Sequence, residues 1–121
     1  MIFLVTFDEI EPGEQILTYD EVGLLHDTGG FTNGKLILTQ RRLVFVIGGG
    51  FFGPKQTTDH AIDMSMIDNV TLEPAENLGV ILRVDFTTID GQHTIRYHCR
   101  LAPAQQMVGL INQRVDMGAL R

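Results

Sequence analysis

The sequence predicts a mainly β fold with one C-terminal α-helix, in which short antiparallel strands form a barrel or orthogonal sandwich plugged by the helix. Three observations carry this. Residues 35–47 alternate as a β-hairpin, residues 80–99 alternate as a second one, and an apolar stripe of helical period follows Pro103.

The elements follow in chain order. Glu11-Pro12-Gly13-Glu14 reads as a turn, with proline presetting φ and glycine free to take positive φ. Residues 16–25 read as the first strand, and residues 27–34 (DTGGFTNG) as a loop. A two-residue turn at Gln40-Arg41 sets Leu38 opposite Leu43 and Leu36 opposite Phe45, which places these four on one apolar face. Gln-Arg is not a favoured pair for such a turn, so a longer loop is the alternative. The glycine-rich stretch 48–58 reads as loop, residues 61–72 as one or two short strands, and residues 73–77 as another turn.

In the second hairpin Asp90-Gly91 is a preferred two-residue turn. That register pairs Phe86 with Ile95, Val84 with Tyr97 and Leu82 with Cys99 on the apolar side, and Asp85 with Arg96 on the other. Pro103 suits a helix start, and Ala104, Met107, Val108, Ile111 and Val115 form one stripe. Gly109 interrupts it, and its small size would let the helix sit close to the sheet. Gly118 is a reasonable stop.

The bulk properties set bounds. The 121 residues point to one domain spanning 1–121, and 44% apolar with 20% charged residues is an ordinary globular balance. One cysteine, Cys99, excludes an internal disulfide framework. The apolar N-terminus lacks the basic flank and cleavage site of a signal peptide, and no run is long enough to span a membrane, so a soluble cytoplasmic protein is expected. The net charge of −6 argues against nucleic acid as a partner. The charge is uneven: residues 1–27 hold seven acids and no Lys or Arg, whereas residues 28–58 hold Lys35, Arg41, Arg42 and Lys55 and no acid.

Three stretches resemble a known family. Residues 34–45 (GKLILTQRRLVF) look like the G-x-L-x-L-T-x-x-R-L-x-F hairpin of GRAM and bacterial pleckstrin-homology-like (PH-like) domains. Glu11-Pro12-Gly13-Glu14-Gln15-Ile16-Leu17 is similar to their lead-in, and residues 62–70 to one of their strands. The resemblance spans residues 11–114 and implies a PH-like barrel of orthogonal antiparallel sheets capped by the helix. Its motifs are core and turn residues, none catalytic, and it implies an interaction module that binds protein, lipid or itself.

Candidate sites follow from side-chain chemistry. Lys35, Arg41, Arg42 and Lys55 have the character of an anion or lipid-headgroup site, unless the hairpin end is simply solvated and Arg42 pairs with an N-terminal acid. Phe51 and Phe52, on the glycine-rich loop, would contact a membrane or partner, or else fold back onto the barrel mouth. That loop is not a phosphate-binding P-loop, because Pro54 stands where lysine is required. Ile2, Phe3, Leu4, Val5 and Phe7 form an apolar strand-like segment that either completes its own barrel or contacts a second copy in a homo-oligomer. His93 and His98 point to opposite faces of a strand, His26 and His60 have no ligand spacing, and Cys99 faces the core, so no metal is expected. No catalytic constellation or cofactor motif stands out. The expectation is a non-enzymatic, self-associating or protein-binding domain, with an anionic-lipid module as the alternative.

Overall fold

The structure, a computed structural model, describes residues 11–48, 57–76 and 78–119, with residues 116–119 described by backbone alone. Seven strands, β1 (Ile16–Leu25), β2 (Phe31–Thr39), β3 (Arg42–Ile47), β4 (Thr57–Asp63), β5 (Ile67–Pro74), β6 (Val80–Thr88) and β7 (Gly91–Cys99), precede one helix, α1 (Leu101–Ala119). A short 3-10 turn, Met64–Met66, links β4 to β5. All neighbouring strands are antiparallel, in the order β4-β3-β2-β1-β7-β6-β5. Two meanders, β1–β4 and β5–β7, are therefore joined where β1 meets β7, through only Gly23 opposite His98 and Leu24 opposite Tyr97.

The main core lies between the meanders and under the helix. Leu36, Leu38, Leu43 and Phe45 from the first hairpin meet Leu82, Val84 and Tyr97 from the second, all fully buried. Ala104, Met107 and Ile111 bring the buried face of α1 to the same cluster. Pro103 falls in the first helical turn, where its missing N–H removes no intrahelical bond. Gly109 is exposed and a Cβ there would meet open space, so it is not a close-packing glycine.

The first hairpin has the expected register, Leu36 opposite Phe45 and Leu38 opposite Leu43. Elsewhere three expectations need correction. The 27–34 loop is shorter, because β2 begins at Phe31 and positive φ at Gly29 and Gly30 closes the β1–β2 turn quickly. Gly34 lies inside β2, where a Cβ would run into the Phe45 ring and the Val46 carbonyl. Thr57 and Thr58, expected in a loop, pair with β3.

The third correction is the register of the second hairpin. Thr88 faces Gly91, so Ile89 and Asp90 form the turn. A two-residue turn at Asp90-Gly91 would need positive φ at both residues. Only Gly91 has it, at 122°, while the Thr88 hydroxyl accepts from the Asp90 N–H at 3.2 Å. The shift by two residues keeps every side chain on its face: Cys99 is buried and Asp85 is on the outer side. It sets Arg83 opposite Arg96 and Phe86 opposite His93. The like charges are tolerated because Glu73 on β5 accepts from Arg96 at 2.9 Å and lies 3.8 Å from Arg83, while Asp85 accepts from Arg83 at 3.0 Å.

Candidate interaction site

Among the described residues, Lys35 does not converge with Arg41 and Arg42. Arg42, beside the β2–β3 turn, donates from Nε and Nη2 to the two oxygens of Glu14 at 2.8 and 2.9 Å. Thr39 Oγ1 donates to the same carboxylate at 2.7 Å and accepts from the backbone N–H groups of Arg41 and Arg42. Gln40 completes the clamp, accepting from the Gln15 N–H at 2.6 Å and donating to the Gly13 carbonyl at 3.2 Å. The Glu14 side chain has no exposed area although it sits near the surface. The Arg42 hydrogen bond, aided by Thr39, outweighs desolvation and holds its carboxyl down at about 2. Arg42 therefore fixes the lead-in to the hairpin.

Arg41 approaches Glu11 at 3.9 Å in an exposed pair. Lys35 lies opposite Val46, toward the other end of the hairpin and about 15–20 Å from the turn at the rise of an extended strand. Lys55, Phe51, Phe52, Ile2, Phe3, Leu4, Val5 and Phe7 all lie outside the described residues.

Lys35 belongs instead to a groove of about 720 Å³ at the β2–β1–β7 seam, with Glu21, Asn33, His98 and Arg100 among its lining residues. Three local features shape it. Arg100 binds the buried Asp20 carboxylate through Nη2 and Nε, yet its own side chain stays 75% exposed. His98 Nε2 donates to the Leu78 carbonyl at 2.7 Å, which holds the β5–β6 connection against the end of β7. Gly79, at φ 93°, packs on the Cys99 carbonyl where a Cβ would collide.

Exposed apolar side chains lie in this groove or next to its lining residues. Phe31 is 61% exposed, and its ring lies so close to Gly23 that a Cβ there would come within 3.0 Å. Leu78 lines the groove and is exposed, and Leu101, next to Arg100, is half exposed. Aromatic, aliphatic and arginine side chains around a concavity of mixed charge suit non-covalent recognition of a protein surface. The sequence reading missed this site because its residues come from β1, β2, β7 and the β5–β6 connection. Phe31 was the available signal, an aromatic beside Gly29-Gly30, of the same kind that drew attention to Phe51 and Phe52.

A second polar arrangement was also hidden in the sequence. Phe45 pairs with His60 and Val46 with Thr58, so Asp59 is the extra residue of a β-bulge. The bulge brings neighbouring side chains together: His60 Nδ1 donates to Asp59 Oδ2 at 2.8 Å, and His60 Nε2 lies 2.6 Å from the Tyr97 hydroxyl. With Nδ1 as donor, Nε2 of the neutral ring accepts from Tyr97. His60 stacks on Phe45 at 5.3 Å between ring centres. Tyr97 is fully buried, and this bond satisfies its hydroxyl. Cys99 is a buried free thiol that burial pushes up to about 12, which makes it a poor nucleophile. Among the described residues no helix is long and apolar enough to cross a membrane, and no group of three or more His, Cys, Asp or Glu is placed to hold a metal.

No protein-family profile matches the chain, and no curated protein matches it. Solved structures do. The C-terminal domain of an unknown protein from Leishmania infantum matches with a TM-score of 0.56 at 16% identity, over 85% of this chain and 86% of that one. A chain of the complex of PDZ-RhoGEF DH/PH domains with GTP-gamma-S activated RhoA matches with a TM-score of 0.63 at 8% identity, over 85% of this chain and 30% of that one. At such identities the likeness concerns the fold. Seven antiparallel strands and one C-terminal helix among the described residues, together with this neighbour, identify the fold as PH-like.

Proposed function

We propose that this chain is a single, non-enzymatic, cytoplasmic PH-like interaction domain, akin to the GRAM type, whose ligand is a protein surface. The observation that carries the reading is the groove at the β2–β1–β7 seam, lined by exposed Leu78 and the exposed Arg100, with the exposed Phe31 ring against Gly23 of its wall. A second copy of the chain is the first partner to test. The groove presents Glu21 as well as Lys35 and Arg100, a mixture of signs that favours a mixed-charge surface over a uniformly anionic one. The lipid alternative is weakened because Arg42 is bound to Glu14 and Arg41 faces Glu11.

The test is light scattering coupled to size exclusion on the full chain and on the Phe31→Ser and Leu78→Glu variants. Both sites are exposed, so folding should survive. The expected result is a concentration-dependent oligomer that each variant weakens about tenfold or more, as loss of a hot-spot side chain does. A strictly monomeric chain that co-sediments with anionic vesicles at low salt and leaves them at high salt overturns this in favour of lipid.

A further inference from the structure

The turn of the second hairpin and the groove lie at opposite ends of one strand. β7 starts at the turn with Gly91 and ends in the groove wall with His98 and Cys99, about 25 Å away at the rise of an extended strand. Ile89, at the tip of the turn, is fully exposed, and Asp90 beside it is exposed as well. The turn itself does not need an isoleucine. Its neighbours close it, since the Thr88 hydroxyl accepts from the Asp90 N–H and Gly91 takes a φ of 122°. Tight turns draw on glycine, proline, asparagine, aspartate and serine, and a β-branched apolar side chain has no part in that chemistry.

We propose that the groove of one chain receives the Ile89-Asp90 turn of a second copy, head to tail. This rests on the reading of the groove as a protein-binding surface and names its occupant. Two complementarities support it. Leu78 lines the groove at 91% exposure and offers an apolar surface to Ile89. Arg100 gives Nε and Nη2 to Asp20 while most of its side chain stays exposed, so its remaining N–H groups can meet a second carboxylate from outside, and Asp90 supplies one. The groove, at about 720 Å³, is of the size that encloses a drug-sized ligand, and the tip of a two-residue turn is no larger. The separation along β7 prevents a chain from filling its own groove. A contact between two different patches does not close as a two-fold dimer does, so it repeats into an open chain of copies or a ring.

The experiment uses three proteins: the full chain, Leu78→Glu, and a turn variant carrying Ile89→Ser with Asp90→Lys. The changes fall on exposed side chains, and circular dichroism checks that both variants are folded. One turn in one groove is smaller than a standard interface, so sedimentation velocity is followed up to about 1 mM. The full chain should grow past the dimer as concentration rises, and each variant alone should assemble about tenfold more weakly or more. An equimolar mixture of the two variants should form a heterodimer and stop there, because one supplies an intact turn and the other an intact groove. A monomeric full chain, a turn variant that assembles as the full chain does, or a mixture no more associated than its components would each overturn the inference. The reading of the groove fails separately. It survives a turn variant that still assembles while Leu78→Glu does not, and it falls with a monomeric full chain that binds anionic vesicles.

Discussion

The two long hairpins are built on opposite principles. β2–β3 is apolar on both faces, with Leu36, Leu38, Leu43 and Phe45 inward and Ile37, Val44 and Val46 outward, all buried. β6–β7 is apolar on one face only, and its outer face carries Arg83, Asp85, Thr94 and Arg96, joined to one another and to Glu73. The first is locked at its turn by Glu14, Thr39, Gln40 and Arg42, whereas the second turns through a fully exposed Ile89. A hairpin held from both sides loses stability when either face is altered, while a one-sided hairpin tolerates change outside. The first is the scaffold, and the second leaves its outer surface free to vary.

The comparison can be broken most directly by truncating matched aromatics. Phe45→Ala should cost about 3–5 kcal/mol in urea denaturation, whereas Phe86→Ala should cost about 1–2, because Phe86 is only partly buried against His93. Equal losses would show that the hairpins are equivalent.

Acid should weaken the clamp at the turn of the first hairpin. The folded-state pKa of Glu14 lies below its ordinary value, so the stability it contributes is present above about pH 4.5 and is lost as pH falls toward about 2. Allowing for solvent near the pair, the contribution is on the order of 2 kcal/mol. Glu14→Gln should remove it at pH 7 and flatten the acid limb of a melting-temperature profile. An unchanged acid limb would place the clamp outside the stability of the fold.

The outer faces give a comparison of similar size. Val44→Ala should cost about 2 kcal/mol and Arg96→Ala about 0–1, since one removes buried methyls and the other an exposed ion pair. A larger loss at Arg96 would mean that the charged ladder, rather than the outer apolar cluster of Ile37, Val44 and Val46, holds the molecule together. The smallest effect is a gain: Gly109→Ala, on the exposed side of the helix, should stabilise by about 0.5–1 kcal/mol.

Local pattern made the first strand, both hairpins, the helix and its buried stripe legible in the sequence, because each is set by residues close in the chain. The register of β6–β7 was misread because Glu73 from a third strand neutralises two facing arginines, which a two-strand reading cannot contain. The pairing of Arg42 with an N-terminal acid was legible as the alternative to an anion site, but the choice of Glu14, 28 positions away, is tertiary. The groove was invisible for the same reason: Lys35, His98 and Arg100 meet only because β1 leaves one meander to touch the other. The bulge at Asp59 breaks the two-residue period that strand reading relies on, so His60 looked isolated.

That bulge has an optical consequence. The chain contains no tryptophan and two tyrosines, Tyr19 and Tyr97. Tyr97 is sealed in the core with its hydroxyl against His60, and burial drives its pKa far above the ordinary phenol range. The unfolded chain ionises this phenol near pH 10 and the folded chain does not, so stability due to its burial is intact below pH 10 and drains away as pH rises further. In an alkaline titration followed by tyrosinate absorbance, the Tyr97 signal should therefore appear only as the fold opens, in step with the loss of circular dichroism. The protein thus carries a built-in chromophore at the junction of its two meanders that reports their separation without any added label.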